Sequence, residues 1–415
     1  MLMTETVSAR GVAPHAQRRL PEGIAFVASS VSLAAFFLAA GAPTPLLPIY
    51  ESDWGFAPWL LTLAFGVYAI SLLLTLLVIG SLSDHIGRRP LLIASVILQL
   101  ASALVFLLAP SIEWLLVARI VQGLAVGAAS GAFGAAIVEL APEHRKRLGS
   151  IIVGALPTAG LAIGALFAGA VAQLLPSPTT IVWSVLVIVG VLSTLVALVT
   201  PETATPKAGA LHSLIPKVAV PAHLRGRFVA TIAANAAGWM TGALFLGLVP
   251  IALRTVFHLD SPLLGGAGAA VAFGSAAITA FATGRFGAHR VVLIGAGAVV
   301  LGAILFVGSI VLPAFALLWI GAAVGGAGIG ATFSGSIRAL IPSAYPHERA
   351  GLFAALYIVA YLALGIPAIV AGLFISTAGI TGTVSVFGIA VAIVATVGIA
   401  TQAVSITRSS RPTVA

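Results

Sequence analysis

Long apolar segments separated by short polar ones run along almost the whole chain. Each apolar segment is about 20 residues or longer, the length of helix that crosses the hydrocarbon core of a bilayer. The pattern predicts an all-α membrane protein, whose twelve spanning helices lie at about 23–42, 58–81, 90–109, 112–138, 149–174, 178–200, 228–251, 262–284, 290–311, 313–339, 350–373 and 379–404.

One longer polar segment, at about 201–227, divides these helices into two sets of six. It holds four prolines and four basic residues. The predicted organisation is a cytoplasmic N-terminal tail, an N-terminal half, a central loop, a C-terminal half and a cytoplasmic C-terminal tail, at 1–22, 23–200, 201–227, 228–404 and 405–415. The apolar run after the first tail is too long for a cleaved signal peptide, so we expect it to be retained as the first helix.

Short motifs recur in the two halves at a separation near 200 residues. Pro-Glu-His-Arg at 142–145 returns as Pro-His-Glu-Arg at 346–349, and the glycine-rich run at 122–128 returns at 325–331. A duplicated unit of six helices is the architecture of transporters whose halves move about a site near the membrane midplane.

The composition agrees with a lipid environment. Of the 415 residues, 60% are hydrophobic and 7% are charged, whereas a soluble domain carries about 25% charged residues. A chain so poor in charge cannot cover a water-facing surface, so the bilayer must surround most of it. The sequence contains no cysteine, which excludes disulfides and zinc thiolate sites.

The net charge of +9 is concentrated on one predicted side of the membrane. All but two of the 20 Lys and Arg residues fall in the tails, in loops on the same side as the N-terminus or at helix ends on that side; the exceptions are Arg119 and Arg254. The positive-inside rule then places both termini in the cytoplasm of a cell with an inner or plasma membrane. A solvated cytoplasmic face accounts for the charge, so no nucleic-acid partner is expected.

The strongest local motif connects the second and third predicted helices. Its sequence is Gly80-Ser-Leu-Ser-Asp84-His-Ile-Gly87-Arg88-Arg89. The glycines permit a tight turn, and the three charges are costly at the membrane edge unless they are paired. An ordinary basic turn is the alternative.

A second motif places Arg119 inside the fourth predicted helix, followed by Gln122 and Gly123. A buried arginine in a membrane marks function by default. The nearest interface is roughly 10 Å away by helix rise, and snorkelling to it is the alternative. Arginine keeps its charge in proteins, so Arg119 would tune a neighbouring group or bind an anion.

Together these motifs resemble the major facilitator superfamily over essentially the whole chain. The loop matches the family signature G-x-L-[SA]-D-[RK]-x-G-R-[RK] except at His85, and its second copy at 284–290 lacks the acid. The resemblance implies that the loop packs against the start of the eleventh helix and latches the outward-open conformation. Since a carboxylate is favoured near a helix N-terminus, Asp84 is expected to make this contact. The residues assigned to this latch are Gly80, Asp84, Gly87, Arg88 and Arg89.

The run from Leu116 to Gly123 resembles the helix-4 motif R-x-x-Q-G of proton-coupled drug antiporters. This resemblance implies a coupling role for Arg119, Gln122 and Gly123. The glycine-rich fifth helix matches the antiporter motif only in part, because its Gly-Pro dipeptide is missing, and an ordinary small-residue helix interface explains it equally well.

No acidic residue falls at predicted mid-depth, which favours a neutral or weakly anionic amphiphile over a permanent cation. A proton-carrying residue would then lie near an edge, with Glu139, Asp53 and Glu113 as candidates. Residues four apart share a helix face, which gives the substrate-cavity candidates Asn235, Trp239, Tyr357 and Tyr361. Tyr68 and Gln99 are further candidates, and helix packing is the alternative for all six. In the family, helices 1, 4, 7 and 10 typically line the cavity.

We interpret the chain as a monomeric secondary transporter that exports a small amphiphilic molecule in exchange for protons by alternating access. The alternative is a proton-coupled symporter or facilitator that imports a metabolite such as a sugar or organic acid. An enzyme is not expected, because the eight histidines lie in tails, loops or helix ends and no acid pair is embedded. No Walker lysine loop is present, and no metal or cofactor is expected. A channel or receptor on the same fold is a further alternative.

Overall fold

The computed structural model describes residues 19–409 except 217, 346 and 347. The described residues therefore exclude most of the two predicted tails, Lys217 and part of the repeated motif at 346–349. Helices connected by short turns make up the described part, which contains no strand. The N-terminal half contains α1 (Glu22–Trp54), α2 (Trp59–Ile79), α3 (Arg88–Leu108), α4 (Ile112–Leu140), α5 (Lys146–Leu174) and α6 (Pro178–Val199). The C-terminal half contains α7 (Arg225–Gly247), α8 (Pro262–Ala282), α9 (Ala288–Val311), α10 (Phe315–Leu340), α11 (349–378) and α12 (380–409).

The last two passes form one helical run that is interrupted at Gly379, where φ is 65° and ψ is 177°. This backbone conformation is essentially restricted to glycine. Leu352, near the start of the run, packs in one cluster with Leu224, just before α7. Thr401, near its end, donates a hydrogen bond to the carbonyl of Ala230 in α7 at 3.1 Å. Both ends therefore lie at one face, and the chain reverses at Gly379 to complete twelve passes.

The helix ends and connections that carry most of the described basic residues lie on one side, which we call the basic face. Arg88 at the start of α3 pairs with Glu139 near the end of α4 at 2.9 Å. The N–H of Leu20 before α1 donates to the carbonyl of Val199 at the end of α6 at 3.0 Å. The other ends of the helices form the opposite face.

The first helix continues past its predicted end at 42. Ala42 remains helical and its N–H donates to the carbonyl of Leu38 at 3.1 Å. Pro43 then begins a further stretch, Pro43–Trp54, because a proline at the first helical position needs no N–H donor. The predicted end of the first helix is therefore followed by a helical extension of α1. A matching extension of α7, Val249–Thr255, lies beside it.

The two halves meet along α2 with α11 and along α5 with α8. Small residues at these contacts let the backbones approach closely. A methyl group added at Gly365 would lie 3.2 Å from the Cβ of Ala69, and one added at Gly169 would lie 2.8 Å from the carbonyl of Pro262. These contacts lie between the middle of the helices and the opposite face, so the halves are closed on that side.

The halves are separated at the basic face. No residue of α5 between 150 and 159 is buried, although the rest of that helix contains several buried residues. One side of this stretch faces the lipid. If α8 packed against the stretch, residues on its other sides would be buried, and none of them is. The space between the halves is therefore open toward the basic face.

Candidate functional site

Close packing of α4 on α2 positions Arg119 at the centre of the N-terminal half. A methyl group added at Gly123 would lie 2.6 Å from the carbonyl of Tyr68, and one added at Gly131 would lie 3.0 Å from the carbonyl of Gly80. A side chain at Gly123 would therefore force the helices apart. The predicted coupling residue Gly123 brings the guanidinium of Arg119 within reach of α2.

Arg119 is 1% exposed and is hydrogen bonded inside the half. Its Nε donates to the carbonyl of Ala64 at 2.9 Å, and its Nη1 donates to Oε1 of Gln122 at 2.6 Å. Nε2 of Gln122 donates in turn to the carbonyl of Ala39 in α1 at 2.9 Å. The guanidinium carbon lies 4.3 Å from the ring centroid of Tyr68, within the range of a cation–π interaction.

No carboxylate neutralises Arg119 among the described residues, whose ion pairs involve Arg88, Lys146, His223 and Arg254 instead. Burial of a charge without an opposite partner costs several kcal/mol. A side chain that snorkels would extend to the interface, whereas Arg119 turns inward to α2. Among the described residues, its charge is therefore held inside the protein by neutral dipoles and by the aromatic rings of Tyr68 and Phe65.

A cavity of about 630 Å³ lies between the two halves, and part of this space is open to solvent. Helices α1, α2, α4 and α5 form its wall on one side, and α7, α8 and α11 form the other. Its lining among the described residues is mostly apolar and aromatic: Phe37, Ala40, Phe65, Tyr68, Arg119, Pro157, Thr158, Leu161, Trp239, Ala243, Leu246, Phe273, Tyr361, Leu364 and Ala368. The structure thus brings the predicted residues Arg119, Trp239 and Tyr361 to one cavity.

The C-terminal wall is an aromatic cluster built on the two predicted helix faces. The rings of Trp239 and Tyr361 have centroids 5.7 Å apart, and those of Tyr357 and Tyr361 are 6.0 Å apart. Phe333 of α10 packs edge-on against Trp239 at 5.4 Å. Tyr357 therefore lies behind the lining residues, as Gln122 does in the other half.

Asn235 does not line the cavity, although it was a candidate for it. The residue is fully buried in α7, and neither amide atom has a hydrogen-bond partner among the described residues. The family expectation for α10 also differs from the structure, because Phe333 packs behind Trp239 and no described residue of α10 is in the lining. Gln99 lines a separate space of about 250 Å³ between α1, α3 and α6.

The latch candidates form a charge cluster at the basic face. Arg88 forms an ion pair with Asp84, donates from Nη2 to Glu139 at 2.9 Å and donates from Nη1 to Oγ of Ser83 at 2.7 Å. This guanidinium therefore links the loop before α3 to the end of α4. All of these contacts lie inside the N-terminal half.

A carboxylate that the sequence analysis did not select completes the cluster. Glu202, at the start of the central loop, accepts hydrogen bonds from four backbone N–H groups. Two belong to Arg88 and Arg89, at 2.7 and 3.0 Å, and two belong to Thr203 and Ala204, both at 3.0 Å. Negative charge is favoured at a helix N-terminus, so Glu202 stabilises the start of α3 and ties it to the end of α6.

The turn before α3 requires glycine. Gly87 has φ of 99°, and a methyl group there would lie 2.6 Å from Oε2 of Glu202. The carboxylate at the start of α3 is that of Glu202. Asp84 lies in a separate short helix, Ser83–Ile86, and the turn at Gly87 directs the first N–H groups of α3 toward the end of α6.

The start of α11, where the latch was expected to pack, contacts the central loop in this conformation. The N–H of Ala219 donates to the carbonyl of Gly351 at 3.4 Å. Nε2 of His223 lies 3.8 Å from a carboxylate oxygen of Glu348. A contact between Asp84 and α11 would require the two halves to approach each other at the basic face.

Comparison with known proteins gives a family match across most of the chain. The family model described as Major Facilitator Superfamily matches residues 29–367. The quinolone resistance protein NorA of Staphylococcus aureus is 25% identical over 137 residues, which are 33% of this chain and 35% of that protein. A D-xylose transporter of Levilactobacillus brevis is 41% identical over 69 residues, 17% of this chain and 15% of that protein. The chain thus matches about a third or less of the length of these two curated relatives.

Solved structures share the fold over nearly the full length. A bacterial homolog of the human lysosomal transporter Spinster, in an inward-facing and unoccupied conformation, superposes with a TM-score of 0.74 at 16% identity and covers 94% of this chain and 99% of its own. The human organic anion transporter MFSD10 (TETRAN) superposes with a TM-score of 0.66 at 16% identity, covering 92% and 100%. At these identities the likeness establishes the arrangement of helices.

Proposed function

This chain belongs to the major facilitator superfamily, and on that basis we propose that it exports a small amphiphilic molecule in exchange for protons by alternating access. The family consists of transporters, and the chain is a multi-pass membrane protein. The observation that carries the proposal is the cavity between the halves, with its apolar and aromatic wall and Arg119 as the one buried cation among its described lining residues.

The lining of the cavity supports an amphiphilic substrate. Sites for drug-sized molecules are predominantly apolar, with few polar groups that fix orientation. Six lining residues are aromatic: Phe37, Phe65, Tyr68, Trp239, Phe273 and Tyr361. The resemblance to a protein named for quinolone resistance supports export, over the third of the chain that it covers.

The distribution of contacts between the halves supports alternating access. Glu51 and Arg254 join the halves at the opposite face at 2.7 Å, while the basic face is open. We orient the basic face toward the cytoplasm of a bacterial cell, following the positive-inside rule. In that orientation both termini are cytoplasmic, and the cavity is open on the side from which an exporter takes up its substrate. We propose that the chain acts as a monomer.

We assign the latch role to Gly80, Asp84, Gly87, Arg88 and Arg89. Asp84 is 47% exposed, so its carboxylate can contact the start of α11 when the halves close at the basic face. The network within the N-terminal half would hold the loop in position for this contact.

We assign coupling to Arg119, Gln122 and Gly123, with Glu139 as the proton-carrying carboxylate. Glu139 is ion-paired with Arg88 at the basic face. Glu113 is fully exposed on the outer edge, and Asp53 is exposed there too. Protonation of Glu139 would remove one partner of Arg88 and loosen the latch, which links proton binding to the movement of the halves.

The second candidate function is import of a metabolite by proton symport or facilitated diffusion. It is favoured by the short match to a D-xylose transporter and by the lack of a carboxylate among the described cavity residues. A sugar would need several hydrogen-bonding side chains around it, whereas most residues of this cavity are apolar. Export is therefore the preferred function.

The test uses purified protein in vesicles that enclose a pH-sensitive dye and carry an imposed proton gradient. A panel of amphiphiles, sugars and organic acids is added to the wild type, to Arg119→Ala and to Arg285→Ala as a matched control at an exposed arginine of the basic face. We expect an amphiphile to accelerate loss of the gradient in the wild type and in Arg285→Ala but not in Arg119→Ala.

The direction of proton movement distinguishes the two functions. Protons that move against the substrate establish exchange, and protons that move with it establish symport. Substrate flux without any proton movement would reject proton coupling and leave a facilitator.

A further inference from the structure

Two of the polar groups that line the cavity are hydrogen-bond donors only. Guanidinium and indole groups donate and cannot accept, and these are the polar groups of Arg119 and Trp239. Tyr68, Tyr361 and Thr158 add hydroxyl groups. The described residues provide no hydrogen bond for the two tyrosine hydroxyls, and that of Thr158 donates to the carbonyl of Ala155 at 3.2 Å. The described lining contains no Asp, Glu, Asn, Gln or His. A ligand that complements this cavity must supply the acceptors.

The guanidinium of Arg119 has N–H groups without a hydrogen-bond partner among the described residues. Of its five N–H groups, one binds the carbonyl of Ala64 and one binds Gln122. The other three, including both on Nη2, have no hydrogen-bond partner in the described part of the chain. The two N–H groups of Nη2 lie in the plane of the guanidinium and can donate to carboxylate oxygens.

Trp239 provides an unused donor in the other half. Its side chain is 6% exposed, and Nε1 is buried without a hydrogen-bond partner among the described residues. A buried donor without a partner is costly to leave. Its ring belongs to the cluster with Tyr361. A ligand atom that accepts from Nε1 would therefore belong to a molecule whose apolar part packs on these aromatic rings.

On the basis of the proposed transport function, we propose that the substrate is an amphiphilic organic monoanion with a carboxylate head. The carboxylate binds Arg119 in the N-terminal half, and the apolar body lies against Trp239 and Tyr361 in the C-terminal half. Such a ligand joins the two halves, so its binding favours the conformation in which they approach.

The same geometry disfavours cations. A cationic ligand in this cavity would lie beside the charge of Arg119, in surroundings where charges interact more strongly than in water. The described lining offers no carboxylate to offset the repulsion. A neutral molecule of equal shape can pack on the rings but forms weaker hydrogen bonds with Arg119.

The test compares three probes that share one ring system: naphthaleneacetate, its neutral amide, and the naphthylmethyl trimethylammonium cation. The full chain is placed in nanodiscs of zwitterionic phosphatidylcholine, and binding of radiolabelled naphthaleneacetate is measured by equilibrium dialysis at neutral pH with the other two as competitors. We expect the acid to bind at least about tenfold more tightly than the amide, and the cation to compete more weakly than the amide.

Three variants assign the effect to residues. Arg119→Gln should remove the preference for the acid over the amide. Trp239→Ala removes the ring against which the naphthyl group lies, and should weaken the acid and the amide by similar factors. Trp114→Ala, at an exposed tryptophan of α4, is the control and should change neither. If Arg119→Gln does not fold, the order in which the wild type binds the three probes still decides whether the inference holds.

Tighter binding of the amide or of the cation by the wild type would overturn the inference, as would an unchanged preference for the acid in Arg119→Gln. The result is separable from the proposed function. Acid binding without any proton movement in vesicles would support this inference and reject proton exchange. Vesicle responses to the amide or cation, but not to the acid, would support transport and overturn this inference.

Discussion

Nη2 of Arg254 donates a hydrogen bond to Oε2 of Glu51 at 2.7 Å, and this ion pair joins the two halves at the opposite face. Glu51 lies in the extension of α1, and Arg254 lies in the extension of α7. Their side chains are 16% and 31% exposed, so water and salt screen the pair only in part. The pair must break whenever the halves separate on this side.

Glu51→Gln should therefore shift the protein toward the conformation that is open at the opposite face. A pair of this exposure contributes about 1 kcal/mol, which corresponds to about a fivefold change in population. The chain has no cysteine, so spin labels can be attached at Thr180→Cys and Asp260→Cys, one exposed site in each half. Pulsed dipolar spectroscopy should show a larger fraction of long distances.

The matched control is Glu143→Gln, which removes an ion pair with Lys146 inside the N-terminal half. It should leave the distance distribution unchanged. An unchanged distribution in Glu51→Gln would show that the pair contributes nothing to closure of the opposite face.

Glu202→Gln should loosen the start of α3. The carboxylate accepts from four backbone N–H groups, and bonds to a charged acceptor are roughly twice as strong as neutral ones. We expect a loss of about 1–2 kcal/mol of local stability. Hydrogen exchange measured by mass spectrometry should show faster exchange at the amides of Arg88 and Arg89.

Glu143→Gln again serves as the control, because Glu143 lies on the same face and its carboxylate is 92% exposed. Exchange at α3 that remains as slow in Glu202→Gln as in the wild type would mean that the turn at Gly87 holds the helix start without the carboxylate.

Gly127→Ala should destabilise the N-terminal half. A methyl group at this position would lie 2.6 Å from the carbonyl of Leu72 in α2, so the helices must move apart. Overpacking of this kind costs about 1–3 kcal/mol. The thermal melting temperature in detergent should fall. In the control variant Gly154→Ala nothing lies within 4 Å of the added methyl group, so the melting temperature should not fall.

Tyr50→Phe should destabilise the junction between the extension of α1 and α6. Nε1 of Trp183 donates to the hydroxyl of Tyr50 at 2.9 Å, and Trp183 is fully buried. Loss of the hydroxyl leaves a buried donor without its partner, which costs about 1–3 kcal/mol. The melting temperature in detergent should fall in Tyr50→Phe relative to the wild type. Equal melting temperatures would imply that water replaces the hydroxyl.

Hydrophobic periodicity predicted the helices because each pass must bury about 20 residues in lipid. It was less accurate at Pro43, because the predicted end of the first helix at 42 is followed by a helical extension. It separated the last two passes by several residues, whereas Gly379 alone makes the turn. Both differences concern proline and glycine, whose effect depends on the backbone conformation at one residue.

Residue patterns found Arg119, Trp239 and Tyr361, because a buried charge and aromatic residues four apart can be recognised along one helix. They did not identify Glu202 as a partner of α3, although it follows a proline at the end of a predicted helix. The contact joins residues more than 100 positions apart. They also favoured Asn235 for the cavity, although it is buried and does not line it. Two residues on one helix face can lie in different layers of the protein, and the pattern along one helix does not distinguish these layers.

The sequence by itself determined the membrane class, the twelve passes, the duplicated halves and the family, because these depend on segment length, charge distribution and local motifs. Only the tertiary structure decided which side of the molecule is closed and which residues share the cavity. It also decided which carboxylate stabilises α3. Those properties arise from contacts between helices that are distant in the chain, and the apolar pattern of each helix is compatible with more than one arrangement of its neighbours.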